Sequence, residues 1–104
     1  MSVKIVNLDY RSNDTLINTQ EVTVNTFLLT HTLEQITIVD EYLIGVYNNT
    51  VPLNPTQIKI FKASEVIRAN GIPATENIIS NFLVGKTLIN IINLDSGTIL
   101  VVYR

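Results

Sequence analysis

The chain has 104 residues, of which 46% are hydrophobic and 15% charged, with a net charge of −2 and no cysteine; its mean hydropathy is +0.30. These figures exclude a mainly disordered chain, whose signature is low hydrophobicity with high net charge, and without thiols they exclude a disulfide scaffold and a zinc-cysteine centre. A single domain over 1–104 is the expectation at this length.

The residue types favour strands. Ile, Val and Thr make up 38 of the 104 residues, and their branched β-carbons suit a pleated sheet while losing side-chain freedom in a helix. Ala, Glu, Lys, Gln and Arg, the good formers of surface helices, total 18, which disfavours a helical bundle.

In chain order, residues 3–8 read as a first strand and 9–14 as a polar loop. Residues 20–30 alternate, with Val22, Val24, Thr26 and Leu28 on one face and Thr23, Asn25, Phe27 and Leu29 on the other. That pattern predicts a long strand, its second half apolar on both sides and therefore covered. Residues 35–39 and 42–47 predict two strands joined by the tight turn Asp40-Glu41. The segment 48–56, with two prolines and three asparagines, is the clearest loop. A half-exposed strand over 57–62 follows.

Ser64 is placed to cap a short helical turn through Ala69 that Asn70-Gly71 ends, and Thr75 to cap a helix running to about Val84, with Gly85 as its terminating glycine. Residues 86–104 predict two strands around Asp95-Ser96-Gly97. No segment repeats another in sequence. The expected fold is α+β and predominantly β: one compact domain of seven or eight short, mostly antiparallel strands, sandwich or barrel-like, with one or two short helices in the second half.

Chemistry-bearing residues are sparse. His31 is the only histidine; it reads as a strand-end or loop residue, since no Gly-x-Ser-x-Gly elbow supplies a nucleophile for it to activate and one imidazole does not make a transition-metal site. Asp40 and Glu41 are adjacent, so on a strand they point to opposite faces and in a turn both are solvated. Asp9, Asp14 and Asp95 read as turn formers outside any calcium-loop spacing. Gly85-Lys86-Thr87 ends like a P-loop, but the required upstream glycine is Ser80, and the tripeptide follows a helix instead of preceding one. Seven scattered Lys and Arg at net −2 give no basic stripe for a phosphate backbone. Tyr42 and Tyr47, an odd number of positions apart, project to opposite faces and build no aromatic platform.

No apolar run approaches the roughly 18 residues of a membrane span, and residues 1–8 do not resemble a secretory leader. The expectation is therefore no catalytic, cofactor or metal site, no nucleic-acid or membrane partner, and no evident small-molecule substrate. What remains is a non-enzymatic structural or assembly protein, a multi-copy virion component such as a phage head, neck, tail or capsid-decorating protein, working as a homo-oligomer or within a larger assembly. Low charge on an apolar chain points to a surface covered by protein. The excess of Ile and Asn (27) over Ala, Gly, Arg and Pro (13) is what an AT-rich gene, common among phages, produces. Phe27, Leu29, Ile99, Val101 and Tyr103, from the segments apolar on both faces, are the candidate interface residues. The expected location is a virion, or otherwise the cytoplasm. Two other readings are a β-sandwich module that binds a peptide or glycan through loops 9–14 and 48–56, and a small enzyme acting through Asp40, Glu41 or His31.

Overall fold

In the computed structural model, which describes residues 1–11, 13–95 and 97–104, the chain runs β1 (Ser2–Asn7), α1 (Asp14–Leu28), β2 (Thr32–Val39), β3 (Tyr42–Asn48), β4 (Gln57–Phe61), α2 (Ala63–Asn70), α3 (Ile72–Leu83), β5 (Leu88–Asn93) and β6 (Ile99–Tyr103). Six strands form two antiparallel three-stranded sheets, in the orders β1-β3-β2 and β4-β6-β5. We call them the N-sheet and the C-sheet. Among the described residues the α+β class is as expected, with six strands in place of seven or eight, three helices in place of one or two, and no closed barrel.

Both sheets are laid down in the same way. A first strand leads into helix, and a hairpin follows whose second strand inserts at the centre, antiparallel to both neighbours. The first and second strands of each sheet are thus parallel but separated, a split crossover. The topology repeats although the sequence does not.

The largest departure from the sequence pattern is α1, which occupies the segment expected to be a strand over 20–30. Asn13 caps it, its side-chain oxygen accepting from the Leu16 amide at 2.9 Å, and Asp14 places a negative charge in the first turn where the helix dipole favours it. The buried positions are Ile17, Glu21, Val24 and Leu28, spaced four, three and four, which is the helical period. One member of that stripe is a glutamate, so a count of apolar residues shows only the alternation. Two of its threonines, poor helix formers, bond back to the preceding turn: Thr19 Oγ1 donates to the Thr15 carbonyl at 3.0 Å and Thr23 Oγ1 to the Thr19 carbonyl at 2.9 Å.

Two helix starts also differ. Ser64 does not cap α2, which begins after Lys62 with no side-chain cap; instead the Ser64 amide donates to the Gly97 carbonyl at 3.0 Å. The third helix starts at Ile72, before Thr75, because Pro73 fits the first turn, where its missing N–H has no partner to lose. Thr75 is buried inside that helix and its hydroxyl donates to the Gly71 carbonyl at 2.8 Å. Gly71 and Gly85 hold positive φ of 84° and 75°, as terminating glycines do.

The turn at Asp40-Glu41 closes the β2–β3 hairpin with Val39 opposite Tyr42, and Asp40 adopts φ 53°. In the last hairpin the Leu94 amide bonds the Thr98 carbonyl at 2.9 Å; Ser96 of this turn, like Ser12 of the 9–14 loop, lies outside the described residues. A β-carbon on Gly97 would meet Ser64 Oγ at 2.9 Å, so this glycine permits the close approach of α2.

One core joins the halves. Leu8, Ile58, Leu100 and Val102 are almost wholly buried, with Leu43, Ile17, Val24 and Leu28 beside them. β4 is an outer strand of the C-sheet, and α1 lies along its open edge. Glu21 Oε1 accepts from the Ile60 amide at 2.6 Å, and Asn25 Oδ1 from the Ile58 amide at 2.7 Å. Asn25 Nδ2 donates in return to the Ile58 carbonyl at 3.1 Å. The spacings match, since four residues of helix rise about 6.0 Å and two residues of strand about 6.6 Å. Side chains one turn apart therefore replace the missing neighbouring strand and close an edge that would otherwise invite another chain.

Candidate functional site

The inner face of the N-sheet turns toward α1, and its outer face is bare. Strand register places Val3, Val46 and Gln35 in one row across the outer face, Ile5, Ile44 and Thr37 in the next, and Asn7, Tyr42 and Val39 in the third. Six of these nine residues are apolar or aromatic. Val3 and Ile5 are 59% and 60% exposed, Val39 52% and Tyr42 43%; Ile44 and Val46, on the central strand, are half-buried. None of the nine carries a charge. Glu34, in the irregular step of β2 between Leu33 and Gln35, reaches Asn48 at one end of the sheet.

An antiparallel sheet with one solvated face normally alternates apolar inside with polar outside. This sheet is apolar on both, and among the described residues the outer side stays open at Val3, Ile5, Val39 and Tyr42. Sequence alone shows the signal in residues 42–47, Tyr-Leu-Ile-Gly-Val-Tyr, which has no polar face at all. The segments 27–30 and 99–103, expected to be apolar on both faces, do not belong to this sheet.

The five residues expected at an interface lie in two separate places. Phe27 is on α1, its ring stacked on His31 at 4.0 Å between centroids and edge-on to Tyr47 at 4.9 Å. Leu29 follows as the cap residue of α1 and is half exposed. Ile99, Val101 and Tyr103 share the face of β6 that also carries Phe61 of β4, and α3 covers it: Phe82 meets Tyr103 edge-on at 5.1 Å and Phe61 at 5.4 Å. Val101 is completely buried. The Tyr103 phenol is pushed above its ordinary value, first by burial and then by the negative charge of Glu21.

The other candidates are also kept apart. His31 Nδ1 faces the Phe27 carbonyl at 2.8 Å and Thr30 Oγ1 at 3.0 Å. Asp40 and Glu41 stand at the far end of β2, roughly 25 Å away at about 3.3 Å per residue, so the three do not meet. Loops 9–14 and 48–56 leave opposite ends of the N-sheet: the Leu8 amide bonds the Glu41 carbonyl at 2.8 Å, while the Thr50 carbonyl accepts from Thr32 Oγ1 at 2.7 Å. Among the described residues no three His, Asp or Glu side chains gather into a metal-binding group, and no helix is long and apolar enough to cross a membrane. Compared with known proteins, the chain matches no family model, no curated protein and no solved structure.

Proposed function

We propose that the chain is a non-enzymatic assembly protein that packs against further copies of itself through the outer face of the N-sheet. The observation that carries this reading is the uncharged apolar face of Val3, Ile5, Val39, Tyr42, Ile44 and Val46. A face without charge meets its own copy across a two-fold axis with no like-charge repulsion. Two such sheets stack about 10 Å apart with their side chains interleaved.

The size of the face says what kind of association to expect. Three strands about 4.8 Å apart and about six residues long make a footprint of roughly 300 Å², well under the about 800 Å² per partner of a stable isolated pair. One such contact is weak, and it becomes useful where many copies each contribute several contacts. This favours a multi-copy setting such as a virion head, neck or tail, for which composition is the further support.

Light scattering coupled to size-exclusion chromatography, from micromolar to millimolar protein, tests the reading. The expected result is a mass that rises with concentration, and its abolition by Ile5→Lys or Val3→Lys with the circular dichroism spectrum unchanged. A strict monomer at millimolar concentration, or association indifferent to both substitutions, overturns it.

A further inference from the structure

On the opposite, inner side of the N-sheet, between β1, β3 and α1, lies a cavity of about 310 Å³. Val24 and Leu28 of α1, Val6 and Leu43 of the sheet, and Leu33 and Ile36 of β2 supply its apolar wall. Gly45 lies at the centre of β3, opposite Lys4 on one side and Ile36 on the other. A β-carbon at Gly45 would come within 3.3 Å of Leu33 Cδ1. A glycine inside a strand weakens it and commonly marks a place where something approaches the backbone closely; here the residue facing α1 is the one that leaves room.

The cavity also has one charged residue. Lys4 and Phe27 both line it, and Lys4 Nζ sits 5.4 Å from the centre of the Phe27 ring. Among the described residues no carboxylate is seen paired with that ammonium, whereas Arg11, Lys59 and Lys62 each stand beside one. A dry apolar cavity of roughly 150 Å³ is enough to bind benzene or xenon. This one is larger and combines an apolar wall with a single polar anchor, the usual form of a small-molecule site.

We propose that this cavity binds a medium-chain aliphatic carboxylate, with the chain among Val24, Leu28, Leu33 and Ile36 and the carboxylate on the Lys4 ammonium. At about 30 Å³ for each heavy atom, the share a water molecule takes in the liquid, the volume holds about ten atoms. That corresponds to octanoate, with ten heavy atoms, and decanoate, with twelve, fits if its chain end reaches the mouth of the cavity. A single lysine matches one negative charge.

Titrating the full chain with decanoate, decanol and decylammonium below their micelle concentrations, followed by calorimetry and by amide chemical shifts, tests the assignment. Decanoate is expected to bind one per chain and to shift the amides of Leu28, Leu33 and Gly45. Decanol is expected to bind about fivefold more weakly, as loss of one solvent-exposed ion pair implies, and decylammonium not to bind. Lys4→Gln, a change at an exposed side chain, should bring decanoate to the affinity of decanol and leave decanol unchanged. Gly45→Val should remove binding of both. Should Gly45→Val fail to fold, the ratio of decanoate to decanol affinity in Lys4→Gln decides alone. Equal decanoate affinity in Lys4→Gln and the native chain, or shifts confined to the outer residues Val3, Ile5 and Val46, overturns the assignment.

Discussion

Glu21 is buried to 8% exposure on a helix, and both of its oxygens have partners. One accepts from the Ile60 amide at 2.6 Å and the other stands 3.5 Å from Lys59 Nζ. Truncating such a group leaves a buried amide without an acceptor, which costs more than the bond itself contributes. Glu21→Ala is expected to lose about 2–3 kcal/mol in urea unfolding, and Glu21→Gln, which keeps an oxygen for Ile60 and loses only the charge, about 1 kcal/mol. Equal losses would mean that the Lys59 pair, and not the amide, carries the effect. At Tyr103 burial and the Glu21 charge hold the phenol in its protonated form. The native state therefore keeps that proton to higher pH than the unfolded chain does, and its contribution to stability is present below about pH 10 and declines as pH rises through the folded value. Absorbance at 295 nm should show a late-ionising phase that Tyr103→Phe removes and Glu21→Gln moves to lower pH. Neither role is visible in sequence, because a lone Glu among Thr and Val reads as solvated until the edge of β4 is known to lie beside it.

At the scale of elements, strands announced themselves better than helices. The β2–β3 and β5–β6 hairpins and β4 fall where alternation and turn residues place them. α1 does not, since four threonines and two valines within Asp14–Leu28 carry strand propensity and the stripe that would reveal the helix is interrupted by Glu21. Tertiary contact with β4 overrides local preference there. The one local signal was Asn13-Asp14, a good cap followed by an acidic first turn. Gly71 separates α2 from α3 at φ 84° and ψ 167°, a combination almost restricted to glycine. Nothing lies within 4 Å of a β-carbon built there, so the cost of Gly71→Ala is backbone strain alone. About 1–3 kcal/mol is expected, seen as a lower urea midpoint at unchanged slope; a change below about 0.3 kcal/mol would show that the two helices shift to relieve it.

Across the whole molecule, the candidate interface was legible as a property and not as a place. Low charge on an apolar chain pointed to a covered surface, but register decides which face is bare, and register is invisible until the strands are paired. A shift of one residue in β1 would turn Val3 and Ile5 toward α1 and Lys4 and Val6 to the outer face. The dimensions of 42 × 30 × 20 Å and a radius of gyration of 13.9 Å, against about 12.9 Å for a compact chain of this length, reflect how little α2 and α3 bury: α2 has no buried residue, and only Thr75 of α3 is buried.

The contact of α1 with β4 crosses from one half of the chain to the other, and this makes the protein divisible but not separable. Leu53, in the connection between the halves, is fully exposed at 105%, so a chain cut there loses no packed side chain. Each piece alone keeps an unsatisfied partner: the first carries Glu21 and Asn25 with no strand to bind, the second a strand with an open edge. Produced separately, the two fragments should remain unfolded or aggregate, and on mixing they should reconstitute the native circular dichroism spectrum. Carrying Glu21→Ala in the first fragment should weaken that reassembly by about 30-fold or more, the equivalent of about 2 kcal/mol. Reassembly that ignores the substitution would place the adhesion between halves in the apolar core instead.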